Sequence, residues 1–517
     1  MAVSEAYSDH VAARLGDFFD EKTHWQRRLW NAGLVLSLRE VIEACEAMRE
    51  RQLSKASVTW LVETVRGKIA VDPGSGRPDE CGALREALRG APEPDGVAHR
   101  TIRVCVEDIR EHYFSRWRDA LANGAAPPRP EQTARSIAAH LLDQGLPASY
   151  LLEWLRSLGR PSVVDLIDAA EHLPTEPPSQ YELLAMFGVA PRTRAQKPAE
   201  WRDSRQVLDW LRDHSIDERP RQRGGLLLTL RAFDAQDAAK RAGAVLDSFV
   251  ARVAVGTRSS AVFLPDVIVA GTGPVSLSAG RRVEVRALER ESRVLDLSGG
   301  AKVIDAALEL LSSLESGATA PAVSGGWSAI EILLGGPGDE DKVSAADRLG
   351  TLVACSWPRA ELTDLAWSWI KQSDDYLATQ FAGLATNRER AAAVAVAIQS
   401  GATPAFSRAS DVAAATRMAE AHTSPQRLLA DVKAHVAESV RRLYRQRNLV
   451  MHGGRTDAVA LESTLRSSAP LVGAGVDRIV HGYLTKDQHP LELLARAQFE
   501  IERAGSSSAP ILSELLE

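Results

Sequence analysis

The sequence predicts a mainly α-helical protein: an N-terminal helical region, a small central α/β unit and a C-terminal all-α bundle. Three observations carry that expectation. Aromatic residues make up 5% of the chain, a fraction that suits a helix-rich protein better than a β-sandwich. Segments at helical spacing alternate with Pro- and Gly-rich connectors, such as DPGSGRPDE from Asp72, GAPEPDG from Gly90, NGAAPPRP from Asn123 and LPTEPPS from Leu173. Only the stretch from about 224 to 300 changes to β-branched runs and period-two alternation.

Taken in order, residues 1–223 read as helix after helix, and two similar fragments, LLEWLRSL from Leu151 and VLDWLRDH from Val207, hint at a repeated helical unit. Two copies fall short of the three or more that a stacked solenoid needs. The stretch DERPRQRGG, Asp217–Gly225, is polar, holds a proline and ends in two glycines, which makes it the best domain boundary. Beyond it LLLTLRAF reads as a buried strand, and Asp234 caps a helix through Val250 with Asp237 as the acid at its third position. SAVFLPDVIV, RRVEVRAL and SRVLDLS follow as further strands. From 301 to 517 the pattern is helical again, with helices expected over Ala301–Glu315, Gly326–Leu334, Ser344–Ser356, Glu361–Phe381, Arg388–Gln399 and Pro425–His452, and two more beyond.

The whole-chain quantities exclude several classes. With 517 residues and 45% apolar content the chain has material for two to four packed domains and is not disordered. A net charge of −6 argues against a protein coated in basic surface, so contact with nucleic acid has to come from local patches. The four cysteines, Cys45, Cys81, Cys105 and Cys355, lie far apart without CxxC spacing, against a zinc site or a disulfide framework. No apolar run reaches 18 residues, and the opening residues mix acids into the first turns without the apolar core of a signal peptide. The expectation is a soluble cytoplasmic protein without a membrane partner. GTGP at 271 and GGPGDED at 335 lack the lysine and setting of a phosphate loop, and the basic PRTRAQK, Pro191–Lys197, reads as a solvated linker, with a nucleic-acid contact as the alternative.

The stretch RLYRQRNLVMHGG, Arg442–Gly454, is where chemistry concentrates. Upstream, Val432, Val436, Val440 and Leu443 form one stripe of an amphipathic helix, and Arg447 takes the next place, where a fifth aliphatic residue is expected. A guanidinium there either pairs with a local acid at a desolvation cost or is aimed into a shared cleft. Ser424 and Pro425 suit the start of the helix, and Gly453 and Gly454 its end. An arginine, four residues and a histidine recur at Arg135–His140 and at Arg417–His422, so spacing alone specifies little.

Three local features set the third copy apart. Asn448 stands four residues before His452, where its amide is placed to orient the imidazole. His452 ends its helix before two glycines, so the ring is free to leave the packed surface, whereas His140 continues its helix. Arg441, Arg442, Arg445, Arg447 and Arg455 crowd the same region of an acidic protein, and a phosphodiester is the natural partner of such a cluster. The competing reading is structural: Arg447 paired with an acid, and His452 at a helix C-terminus whose dipole favours a cation.

RNLVMHGG on a long helix resembles the Arg-polar-x-x-x-His signature of HEPN domains, all-helical modules many of which are metal-independent ribonucleases. GGWSAIEILL, Gly325–Leu334, resembles the first-helix pattern of the Apea-like branch, where an aromatic precedes a small-aliphatic-Glu step. The resemblance covers about 300 to 505. It implies catalytic roles for Arg447 and His452, with Asn448 as the polar residue after the arginine and Glu331 as a supporting acid. For Glu331 a structural pairing with an arginine stands equally open, and Trp327, Trp367 and Trp369 read as core anchors rather than base-stacking platforms. Arg441, Arg442, Arg445 and Arg455 are the candidate RNA-binding residues, and neither cofactor nor metal is expected.

HEPN domains usually dimerise so that two motifs meet, which implies a homodimer through the Pro425–His452 helix, with the stripe ending at Arg447 as the subunit contact. The expected activity is cleavage of single-stranded or tRNA-like RNA by 2′-hydroxyl attack, giving 2′,3′-cyclic phosphate and 5′-hydroxyl ends. Residues 1–223 are then a sensor or restraint answering a phage or host trigger, as in antiphage or toxin-like systems. The alternative is a noncatalytic HEPN module that binds RNA or dimerises as a scaffold.

Overall fold

The continuous apolar run LLAMFG, from Leu183, is the key to the sheet. In the computed structural model, which describes residues 3–122, 127–218, 220–277, 281–296, 302–339, 342–402, 406–506 and 512–516, that run is the middle of a strand, β1, Ser179–Val189. From the sequence alone it falls within residues 1–223, expected to be helical. A short apolar run does not distinguish a strand covered on both faces from a buried helix. Here both faces are covered. Leu183, Ala185 and Phe187 pack with Ala238, Ala239, Ala242 and Leu246 of the helix Ala235–Thr257. On the opposite face, Leu184 and Met186 pack with Val207, Trp210 and Leu211 of the helix Ser204–Asp213.

The remaining strands are β2, Trp201–Arg202, β3, Gly225–Ala232, β4, Val262–Val269, and β5, Gly273–Ser276. They form one antiparallel sheet in the order β2-β3-β1-β4-β5. Asp234 caps the helix as expected, its side chain accepting from the backbone of Asp237. GTGP at 271 lies in the turn between β4 and β5, with Gly271 and Gly273 at positive φ.

The rest of the protein is helical, with twenty α-helices among the described residues. The compact units do not follow the linear cuts at 223 and 300. One unit joins residues 1–143 and 155–172 to 281–517, and the other joins 144–154 to 173–280. The polar boundary at Asp217–Gly225 therefore lies inside the sheet-bearing unit.

The larger unit is continuous because its early and late helices share buried charge. Arg27 Nε donates to Glu361 at 2.9 Å and its Nη1 to Asp411 at 2.7 Å. Arg417 reaches Glu131 at 2.7 Å and Glu361 at 3.2 Å.

Several boundaries differ from expectation. Ser344–Gln372 is one helix running through Pro358, where two were expected, because Trp357 and Pro358 are buried in its core-facing side. RRVEVRAL is not a strand: Arg281 and Val283 spend their backbone N–H groups on Glu315, and the chain then turns into the short helix Ala287–Arg290. SRVLDLS forms turns as far as Asp296, its last two residues lying outside the described ones. The helices Lys302–Ser316, Asn387–Gln399, Leu461–Lys486 and Pro490–Arg503 match the expected pattern, whereas Thr319–Leu334 begins well before the expected Gly326 and Ala409–Thr423 is a helix beyond those expected. Three of the four cysteines are buried and none is in a disulfide. No helix among the described residues is long and apolar enough to cross a membrane.

Candidate functional site

The helix Pro425–Gly453 carries the Arg-x-x-x-x-His segment. Its stripe is core: Val436, Val440 and Leu443 are fully buried and Val432 nearly so. Because the chain's own helices cover these residues, the stripe is not an open seam for a second copy. Ser424 occupies the N-cap position, but its side chain makes no capping hydrogen bond, and Pro425 at the first turn has no N–H to satisfy. The stop is as the glycines require. Gly454 adopts φ 65°, and the N–H groups of Gly454 and Arg455 close back onto Val450 and Leu449.

The five arginines of this region separate by partner. Arg442 and Arg445 are interior, and each donates through Nε to one carboxylate oxygen of Glu40 at 2.9 Å. Burial pushes the Glu40 pKa up, but Arg445 and Arg442 outweigh it and hold the carboxyl below its ordinary value. Arg441 donates to Asp347 at 2.9 Å and lies over the Trp60 ring at 4.7 Å. Arg455 reaches Glu50 at 3.0 Å. The expected exposed RNA-binding patch of Arg441, Arg442, Arg445 and Arg455 is therefore not formed. Two of these residues are inside, and the other two are ion-paired with acids that sequence proximity does not reveal.

Arg447 is the exception. Among the described residues no carboxylate pairs with it. Its Nη1 donates to Asn448 Oδ1 at 2.9 Å and lies 3.1 Å from His452 Nε2. Since a guanidinium only donates, the second contact needs the lone pair of Nε2, and the ring then carries its proton on Nδ1. Asn448 thus steadies the guanidinium rather than the imidazole, a correction to the expected role. Nε and Nη2 of Arg447 have no partner among the described residues, which leaves donors in the fork that suits a phosphate. Arg447 is half-buried, Asn448 buried, and His452 exposed at the helix end.

The N-terminal helices fix where this helix end lies. A Cβ on Gly453 would meet the Gln52 side chain at 2.5 Å, so glycine allows that close approach. The backbone of Val459 donates to Glu43 at 3.4 Å, and burial pushes the Glu43 carboxyl up to about 7.

Glu331 does not touch the Arg447 trio. It accepts from Trp327 Nε1 at 2.9 Å and pairs with Lys342 at 2.6 Å. The Trp327 ring packs on Tyr444, 4.7 Å between centroids, which brings Glu331 toward the helix face that Arg447 and Asn448 share one turn later. Trp327 and Trp369 are core residues, while Trp367 is 39% exposed under the Arg390 guanidinium.

The two other Arg-x-x-x-x-His segments are built differently. His140 is stacked on Tyr113 at 3.9 Å, and burial pushes its pKa down to about 3. Arg417 is spent on Glu131 and Glu361. Sequence reasoning missed Glu40 and Trp60, the partners that sort the arginines, and no local signal marks either. No group of metal-ligating side chains occurs among the described residues. No protein-family model, curated protein or solved structure matches this chain.

Proposed function

We propose that this protein is a metal-independent RNA endonuclease of the HEPN type, with Arg447 and His452 acting on the scissile phosphate. The observation that carries the reading is an Arg447 guanidinium without a carboxylate partner among the described residues, held by Asn448 beside an exposed imidazole. The reaction needs a proton taken from the ribose 2′-hydroxyl, a stabilised phosphorane and a proton given to the leaving 5′-oxygen. Arg447 offers its open donors to the nonbridging oxygens. Approach of a phosphate draws it off Nε2, which frees that lone pair for proton transfer. One imidazole does not serve both proton transfers at once, and a second copy related by a two-fold axis supplies the other.

Because the stripe is internal, the contact between copies uses the exposed helix end, where Met451 is 57% exposed beside His452. The products are 2′,3′-cyclic phosphate and 5′-hydroxyl ends. The setting we propose is a regulated effector of antiphage defence or a toxin-like system, acting in the cytoplasm on single-stranded or tRNA-like RNA.

A noncatalytic HEPN scaffold is the second reading, favoured by the ion pairing of the other arginines, which leaves little basic surface for a substrate. The test is cleavage of a labelled structured RNA in EDTA by wild type and His452→Ala at matched oligomeric state. Loss of at least ~10²-fold, the range for removing a general acid or base, with cyclic-phosphate ends in the wild-type product, supports the nuclease. Equal rates sink the His452 assignment. RNA binding without cleavage in both proteins, abolished by Arg447→Ala, favours the scaffold.

A further inference from the structure

A cleft of about 540 Å³ opens on the larger unit, walled by the segment Thr23–Arg28, the stretch Arg282–Arg290 and the helices Ser344–Gln372 and Leu461–Lys486. Its size falls in the range of small-molecule sites. Seven arginines line it against three carboxylates, Glu284, Asp364 and Asp477. In a chain of net charge −6 this is a local inversion of sign.

The three carboxylates are already engaged. Asp364 accepts from Gln26 at 2.6 Å and lies 2.7 Å from a His24 ring nitrogen. Glu284 is held between Arg282 and Arg286, and Asp477 accepts from the backbone of Ala287 at 2.6 Å. Meanwhile the Nε atoms of Arg28 and Arg478 are buried with no hydrogen-bond partner among the described residues, Arg478 being 8% exposed. Buried donors of this kind are costly unless something arrives to accept from them.

The cations also raise one another's energy. Burial, with Arg282 and Arg466 nearby, outweighs Glu21 and brings Arg28 down to about 10. Burial, with Arg359 nearby, brings Arg478 down to about 9, and burial with Arg290 and Arg388 brings Arg359 down to about 10. An anion in the cleft relieves both the desolvation and the repulsion.

We propose that this cleft binds an oligophosphate anion of the nucleoside triphosphate class, with Arg28, Arg359 and Arg478 on the phosphates. The excess of guanidinium over carboxylate matches a triphosphate better than a single phosphate, and arginine forks suit phosphate oxygens. The site is separate from the Arg447 trio. Asp347 pairs with Arg441, and Gly350 packs on Lys433 and Ala437, so the two helices run antiparallel. At a rise of 1.5 Å per residue, Arg359 and His452 extend in opposite directions from that pair, roughly 30 Å apart.

The test uses the full-length protein at fixed ionic strength without divalent cations, titrated with ATP, inorganic triphosphate and adenosine by calorimetry and thermal melting. ATP is expected to bind with micromolar affinity and raise the Tm by several degrees, while adenosine does neither. If inorganic triphosphate binds as tightly as ATP, the phosphates alone are recognised; if it binds more weakly, the nucleoside contributes. Both results support the site.

Arg478→Gln is expected to weaken ATP at least about tenfold. Because Arg478 also donates to the Leu516 carbonyl, the double variant Arg290→Gln/Arg388→Gln, on the exposed rim, provides a second check with the same expected direction. Absence of binding by both phosphate ligands at millimolar concentration overturns the proposal, as does undiminished binding in the rim variant. So does a short RNA that occupies the cleft while nucleotides do not. His452→Ala is expected to bind ATP like wild type, so failure of the nuclease reading leaves this result intact.

Discussion

Replacing Glu40 with glutamine tests how the structure sorts the arginines. Glu40 is 1% exposed and takes one hydrogen bond from each of two interior guanidiniums. Glu40→Gln keeps the shape and removes the charge. Arg442 retains a 3.3 Å contact to Glu438. Arg445 keeps the Trp60 ring at 5.6 Å but no carboxylate among the described residues. Removing one member of a buried ion pair costs about 3–5 kcal/mol, since the survivor stays desolvated and uncompensated. With a urea slope of about 3 kcal/mol per molar, that is a midpoint shift of roughly 1–1.7 M.

The assay is urea unfolding followed by hydrogen exchange in the helix Pro425–Gly453, because a protein of two compact units need not unfold in one step. Arg447→Ala and His452→Ala are the controls, each expected within about 0.5 kcal/mol of wild type, as for surface changes that break no buried pair. A Glu40→Gln protein as stable as wild type refutes the claim that Arg442 and Arg445 sit in a dry, charge-compensated interior. An Arg447→Ala protein as unstable as Glu40→Gln makes Arg447 structural, and the nuclease reading then loses the observation that carries it.

Three further outcomes are expected. Gly454→Ala places an L-residue at φ 65° with open space around the new methyl, so melting should report a loss of about 1 kcal/mol without a clash. Deleting residues 1–143 should leave 281–517 insoluble, as judged by expression and gel filtration, because Glu361 loses Arg27, Arg417 loses Glu131, and Arg442 and Arg445 lose Glu40; a soluble, folded fragment contradicts this. Glu43, raised to about 7 in the folded protein, binds a proton there that the unfolded chain binds only near 4.5, so its contribution is present below 4.5 and lost as pH rises through 7. Wild type should therefore gain about 2 kcal/mol over Glu43→Gln on going from pH 7 to pH 5 in paired urea melts, and a pH-independent difference rejects the shift.

The helices were legible because their apolar spacing and caps are local: Asp234 and the glycines after His452 act where the sequence places them. Strand β1 was not, because its apolar run reflects cover on both faces by helices distant in sequence. Within the site, the neighbourhood of Arg447, Asn448 and His452 follows from one helix and was legible to that extent. The hydrogen-bond assignment was not, since Asn448 chooses the guanidinium over the imidazole and spacing fits both choices. The basic cleft left no local mark, because Arg28, Arg359 and Arg478 come from three distant parts of the chain.

The arginines around His452 show why charge density in a sequence is a poor measure of charge presented to a ligand. Arg442 and Arg447 are close along one helix, yet the first is cancelled by a carboxylate about 400 residues earlier and the second has none among the described residues. What separates them is depth. The stripe that buries Leu443 emerges from the core one turn later, so Arg447 is the first member with a solvent side, and two acids of helix Leu34–Arg49 are committed to its neighbours: Glu40 to Arg442 and Arg445, Glu46 to Arg455. The N-terminal helices consume the basic charge of the neighbours and leave Arg447 uncovered. The buried pairs of Glu40 with Arg442 and Arg445 make it a structural link between the first helices and the helix that carries the candidate site.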